Sequence, residues 1–235
     1  MPSTDAQSAG VPTTPYTGVV TAGGPADTRE LPGLHLTKVS VGKFDNNAYL
    51  LRCTATGEQL LIDAASEPER LLQLIGPAGL ATVVTSHQHW DHVQALDEVI
   101  KATGAASVAH PEDAPALPVT PTLLVNDGDA VTVGNATLKV IHIVGHTPGS
   151  IALLYEAPAP DGSTTPHLFT GDCLFPGGPG NTEKDPERFS ALMDDLERKV
   201  FGPLPDETWV YPGHGKDTTL GVERPHLNEW RSRGW

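Results

Sequence analysis

The run Thr85-Ser86-His87-Gln88-His89-Trp90-Asp91-His92 places four metal-capable side chains within six residues, in the order His-x-His-x-Asp-His. It follows the apolar run Ala81-Thr82-Val83-Val84 and leads into a helical pattern. On a regular helix, neighbours sit three or four apart and residues two apart point to different faces. His87 and His89 therefore cannot share one ion from a helix. A tight loop at the end of a strand can aim both imidazoles at one ion and turn Asp91 and His92 towards a second. Imidazole nitrogens and a carboxylate oxygen suit zinc, iron or manganese. A single loop histidine is ordinarily just a solvated polar residue, but three with an aspartate at this spacing read as a metal site.

Three later pieces repeat one pattern, an apolar strand end followed by glycine and a metal-capable residue: Gly145-His146, Gly171-Asp172 and Gly213-His214. Glycine permits a sharp turn that swings the next side chain into a cleft. Strand-end loops are also where rigid scaffolds place their chemistry. With the first loop these pieces supply seven ligands, enough for two ions.

The elements that must position these residues are legible as periodicities. Strands are expected over residues 34–41, 47–53 and 59–63, an opening antiparallel meander whose last member ends on Asp63. Ser66-Glu67-Pro68-Glu69 starts a helix with Leu71, Leu72 and Ile75 on its apolar side and Gly76 at its stop. The strand 81–85 delivers the metal loop. Val93, Leu96, Val99 and Ile100 then give a helical stripe, and 106–109 a short strand. After a Pro-rich loop, strands are expected over 130–133 and 136–144, joined by the hairpin signal Gly134-Asn135. Further strands are expected over 151–156, 167–170 and 208–211, with a helix over 186–200 carrying Phe189, Leu192, Met193 and Leu196. Both halves run sheet then helix, which predicts two sheets face to face with helices outside, a four-layer α/β sandwich. Residues 1–30, rich in Gly, Pro, Ser and Thr, read as an extended or flexible arm, and 31–235 as one domain.

Composition narrows the function. The 235 residues suffice for one domain with a proper core, with 38% hydrophobic and 19% charged residues. The net charge of −14 argues against a nucleic-acid or anionic-membrane partner, since phosphate binding needs a basic surface. The two cysteines, Cys53 and Cys173, form no Cys-x-x-Cys pair and read as buried thiols in a reducing cytoplasm. No basic segment followed by an apolar run opens the chain, and no run of about 18 apolar residues exists. A cytoplasmic protein is expected, as a monomer or homodimer.

The series His87-x-His89-x-Asp91-His92, Gly145-His146-Thr147-Pro148-Gly149, Gly171-Asp172 and Gly213-His214, with Asp63 at a strand end, resembles the metallo-β-lactamase-fold superfamily over residues 34 to 220. That resemblance implies an αββα sandwich. It assigns His87, His89 and His146 to one ion and Asp91, His92 and His214 to the other, with Asp172 bridging and Asp63 holding the metal loop from behind. Asp45-Asn46-Asn47-Ala48-Tyr49-Leu50, Ser150, the Gly177–Thr182 loop and Thr219-Leu220-Gly221 are similar to short glyoxalase II-type hydrolases. The helical C-terminal domain by which the longer enzymes help bind glutathione has no counterpart in the 21 residues after His214. The zinc β-lactamases of the main class carry a cysteine ligand where this chain has Asp172; Cys173 is expected to point away as a buried apolar residue.

The resemblance implies two divalent ions, zinc before iron or manganese, and a metal-bound hydroxide attacking a thioester or small ester, with Asp91 orienting it or taking its proton. The substrate is a small molecule, such as a thiol conjugate; no residue is assigned to binding it. The alternative is a persulfide dioxygenase of the same fold, with one iron on His87, His146 and Asp172. Lactonase, β-lactamase and nuclease activities rank lower. Trp90 either narrows the pocket or packs on the scaffold. Asn47 and Tyr49 either shape the pocket or pack within their strand. Tyr211 is expected behind His214, His142 within a strand, and His35, His110, His167 and His226 on the surface.

Overall fold

The computed structural model describes residues 15–234. The first sheet has seven strands in sequence order: β1 Asp27–Leu31, β2 Leu34–Val41, β3 Asn46–Cys53, β4 Gln59–Ile62, β5 Thr82–Val84, β6 Ala106–Ala109 and β7 Leu123–Leu124. β1 to β4 pair antiparallel and β4 to β7 parallel. The second sheet is built from β8 Ala130–Val133, β9 Ala136–His142, β10 Ile151–Pro158 and β11 Thr164–Gly171. It is completed by β14 Trp209–Pro212 and β15 Thr218–Thr219, in the order β15-β14-β11-β10-β9-β8. Between β11 and β14 lies a small hairpin, β12 Leu174–Phe175 with β13 Gly178–Pro179.

The alternation of β2 shows how the layers arise. Leu34 and Leu36 face the second sheet, in one buried cluster with Val133, Leu138, Leu153 and Phe169. Val39 and Val41 face the other way, against α1 (Pro68–Ile75) and α2 (Leu96–Thr103) through Leu71, Ile75, Leu96 and Val99. Beyond the second sheet, α3 (Pro186–Asp195) buries Phe189, Leu192 and Met193 against Ile141, Leu154 and Leu168. It runs on into a π turn, Leu196–Phe201, and α4 (Leu220–Glu223) and α5 (Leu227–Arg233) complete that layer, with Trp230 buried in it. The four-layer expectation therefore holds, because each sheet must bury two apolar faces. Among the described residues no helix is long and apolar enough to cross a membrane.

Three features depart from the sequence reading. The segment read as an arm contains β1, which pairs along β2, and Tyr16 packs against the inter-sheet core; residues 1–14 of that segment lie outside the described residues. His110 and His167, expected on the surface, are buried. The His110 ring stacks on His142 at 3.9 Å, and His167 Nδ1 lies 2.9 Å from the Tyr211 hydroxyl. Both find partners far along the chain, which periodicity does not encode. Cys53 and Cys173 are free and buried.

Candidate metal centre

All seven residues marked in the sequence meet at one edge of the sandwich. The loop after β5 carries His87 and His89, a single 3-10 turn (Trp90–His92) carries Asp91 and His92, and His146, Asp172 and His214 follow β9, β11 and β14. One ligand atom from each of His87, His89 and His146 lies within 4.8 Å of the others, and the same holds for Asp91, His92 and His214. Asp172 stands between the two groups. Its Oδ2 is 3.6 Å from His146 Nε2, 4.0 Å from His87 Nε2 and 3.4 Å from His214 Nε2, while its Oδ1 is 3.4 Å from His92 Nε2.

The rings are aimed from behind. Asp63 sits in the left-handed region at φ 59°, a conformation an aspartate tolerates. Its Oδ1 accepts the Ser86 amide at 2.7 Å, and its Oδ2 accepts the Ser86 hydroxyl at 2.7 Å and faces His92 Nδ1 at 2.9 Å. His146 Nδ1 meets the Asn181 carbonyl at 2.8 Å, and His214 Nδ1 the Phe44 carbonyl at 2.8 Å. An imidazole donating Nδ1–H to an oxygen presents its Nε2 lone pair on the far side, the arrangement metal-binding histidines use.

Buried polar atoms are normally satisfied, yet His87 Nε2, His146 Nε2 and Asp172 Oδ1 are buried without a hydrogen-bond partner. The two orphaned imidazole nitrogens lie 4.0 and 3.6 Å from Asp172 Oδ2, so the donor set fits divalent cations. The electrostatics agree. Burial and the neighbouring His92 hold His87 well below the ordinary histidine value. Burial opposes charge on His92, but Asp172 and Asp63 outweigh it and hold that ring well above. Burial likewise works to raise the Asp172 carboxyl; His92 and His214 outweigh it and hold it well below the usual carboxylate value.

The glycine before each ligand has its own reason. Gly145 adopts φ 120°, and a Cβ there would meet the Arg188 carbonyl at 2.5 Å. At Gly213 the reason is space: a Cβ would lie 2.1 Å from Asp172 Oδ1 and 2.8 Å from His92 Cε1.

Two supporting residues escaped sequence reasoning. Asp113 comes from the Pro-rich loop and is 1% exposed. Its carboxylate accepts the Gln88 amide, the Thr147 hydroxyl and the Gly149 amide at 2.9, 2.6 and 2.7 Å, tying the first metal loop to the His146 loop. Nothing in a loop of turn residues singles it out. Asn46, quoted only as part of a motif, donates Nδ2–H to Asp91 Oδ2 at 2.9 Å. Asn47 and Tyr49 point at the His214 loop instead, both donating to the Pro212 carbonyl. Trp90 is 57% exposed and meets Phe44 edge-on at 5.8 Å.

Away from these residues, His110, Glu112 and His142 also offer ligand atoms within 4.8 Å of one another. The two imidazoles are stacked at an interplanar angle of 22°, so their in-plane lone pairs run side by side rather than at one point. The rings of His89 and His146 stand at 87° to each other. A cleft of about 540 Å³ opens beside His89 and His146, walled by Gln88, Thr147, Pro148 and Arg188.

The family model for the metallo-beta-lactamase superfamily matches residues 41–214. The chain belongs to that superfamily. Its hydroxyacylglutathione hydrolase relative from Rhodospirillum rubrum is 35% identical over 172 residues, 72% of this chain; the match spans only 62% of the hydrolase's length. Among solved structures it is similar to ETHE1 from Myxococcus xanthus (30% identity, TM-score 0.71, 84% of each chain). It is also similar to TTHA1623, solved in a di-iron-bound form (33% identity, TM-score 0.62, 80% of this chain and 96% of the other).

Proposed function

We propose that this protein is a two-metal hydrolase of the glyoxalase II type, which splits a small thioester or related ester in the cytoplasm. The observation that carries the reading is the pair of three-residue groups with Asp172 within 4.0 Å of histidines of both, and with His87 Nε2, His146 Nε2 and Asp172 Oδ1 buried and unsatisfied. The hydrolase relative and the di-iron-bound neighbour support it.

His87, His89 and His146 would hold one divalent ion, Asp91, His92 and His214 the other, and Asp172 both; zinc suits this donor set first, with iron or manganese as alternatives. Such a pair lowers the pKa of water towards neutrality and polarises a carbonyl. The chain's own groups do the rest. Asp91, with Asn46 on its Oδ2, orients the attacking water and accepts its proton. Attack forms the C–O bond, and the C–S bond breaks to release a thiolate, which needs no acid at neutral pH. The cleft beside His146 is of the size that encloses a small-molecule substrate. The acidic surface keeps nucleic acid and anionic membranes away.

The test is elemental analysis of purified protein joined to a panel of acyl thioesters. About two equivalents of metal and thiol release without oxygen uptake are expected. One bound iron, with oxygen consumed in the presence of a thiol persulfide and no thioester cleaved, overturns the reading in favour of a persulfide dioxygenase.

A further inference from the structure

Leu34, Leu36 and Lys38 follow one another on the inward face of β2, so the chain sends a lysine where its pattern calls for an apolar residue. Lys38 is fully buried. An ammonium there needs a partner for each of its three N–H groups, and it has them. Nζ donates to the Gly18 carbonyl at 2.8 Å, the Gly215 carbonyl at 2.7 Å and Asp217 Oδ1 at 2.6 Å. The other oxygen of Asp217 accepts the Tyr16 hydroxyl at 2.6 Å and the Trp209 indole N–H at 2.8 Å. The Asp217 amide returns a bond to the Gly18 carbonyl at 3.2 Å. One buried ion pair thus joins residues 16–18, β2, the start of β14 and the loop that follows His214.

The N-terminal piece is seated, not draped. The Tyr16 ring lies 6.1 Å from Trp209 and 6.4 Å from Tyr211, and the Arg29 guanidinium lies over both Trp209 and Tyr16 at 4.2 and 5.5 Å. Gly18 takes φ 71°, and a Cβ there would come 2.6 Å from Asp217 Oδ2. A Cβ there forces either the segment or the Asp217 carboxylate to move, and so loosens the pair.

The pair acts next to a ligand. Gly215 directly follows His214, and its carbonyl accepts from Lys38 Nζ and from Asn47 Nδ2 at 2.9 Å. The His214 side chain is 26% exposed; its loop is held by the Phe44 carbonyl, by Asn47 and Tyr49, and at Gly215 by this clamp. His87 and His146 are held from elsewhere, by Ser86 and Asn181.

We infer that residues 16–18, locked onto the Lys38–Asp217 pair, are positioning residues for His214, and that the N-terminal segment thereby sets the cation affinity of the Asp91–His92–His214 group while leaving the His87–His89–His146 group alone. The inference rests on the two-metal reading for its affinity consequence and on hydrogen bonding alone for its positioning consequence. Two variants test it without touching any ligand: Gly18→Ala, which must displace the segment or the Asp217 carboxylate, and Tyr16→Phe, which removes one hydroxyl and keeps the ring.

Stepwise zinc titration of the ion-free full chain against a chromophoric chelator reads the first consequence. One of the two association constants is expected to fall about tenfold or more in Gly18→Ala and less in Tyr16→Phe, the other moving little, in line with the effect of groups that orient ligands. Amide hydrogen exchange of the ion-free protein reads the second. The Asn47 and Gly213 amides, bonded to the Gly213 and Gly171 carbonyls, are expected to exchange faster, with the Ser86 amide unchanged. Two unaltered constants with unaltered exchange in both variants overturn the inference, as does a uniform loss at both groups. If the parent protein takes up no zinc, the two-metal reading fails and exchange alone decides the positioning role.

Discussion

Asp63 Oδ2 stands 2.9 Å from His92 Nδ1, in a carboxylate whose other oxygen takes the Ser86 amide at 2.7 Å. One acid thus fixes both the start of the metal loop and the face that His92 turns to Asp172. Asp63→Asn puts an amide N–H where an acceptor was, or frees the ring to flip. Metal affinity at the Asp91–His92–His214 group is expected to drop 10- to 100-fold, the usual effect of losing such a partner. Competition titration checks it; an unchanged affinity would remove Asp63 from any role at the centre.

Gly213→Ala forces a methyl against Asp172 Oδ1 and His92 Cε1. Overpacking of this kind costs about 1–3 kcal/mol. Because the displaced atoms belong to the centre, turnover is expected to fall by roughly 100-fold, the effect of misplacing reacting groups by about an ångström. Denaturant melts with initial rates separate the two. A variant with full activity would show that the approach of Gly213 to Asp172 is incidental.

The buried His167 makes stability depend on acid. Burial, helped by Arg29, lowers it from 6.5 to about 4. Its ring stays neutral in the folded protein while the unfolded chain protonates it below pH 6.5. Its contribution is therefore complete above pH 6.5, declines as pH falls, and is gone below about pH 4; the gap corresponds to roughly 3 kcal/mol. His167→Asn keeps an acceptor for the Tyr211 hydroxyl and removes the titration. The difference in urea stability between parent and variant is expected to shrink or reverse between pH 6.5 and 4. A constant difference across that window would contradict the assignment.

Trp90 and Phe44 form an exposed edge-to-face pair next to the His214 side of the centre, since the Phe44 carbonyl holds His214 Nδ1. With 57% of Trp90 in solvent, Trp90→Ala is expected to cost no more than about 1 kcal/mol. If the proposed thioester hydrolysis holds, its effect belongs on KM: about several-fold higher for thioesters with long apolar acyl groups and nearly unchanged for acetyl, with kcat preserved. A large drop in melting temperature with unchanged KM would make it a scaffold residue instead.

The metal loop was legible because its ligands are close in sequence, an apolar run leads into it and a stripe of helical period follows it. The glycine-ligand pairs were legible for the same local reason. β7, β12, β13 and β15 were not, since each has two residues and two residues carry no period. β1 was hidden in a turn-rich composition and is a strand through its pairing with β2.

The sequence alone determined which side chains can bind cations, that they leave strand ends, and that helices cover both sheets, because these follow from residue type and local pattern. The assignment to two groups came with the superfamily resemblance, and only the three-dimensional arrangement brought Asp172 within 4.0 Å of histidines on both sides. Packing alone also decided that Asp113, His110, His167 and the Lys38–Asp217 pair lie inside. A polar residue is stable in the interior only when a specific partner meets it there, and those partners are brought together by the docking of whole sheets, not by spacing along the chain.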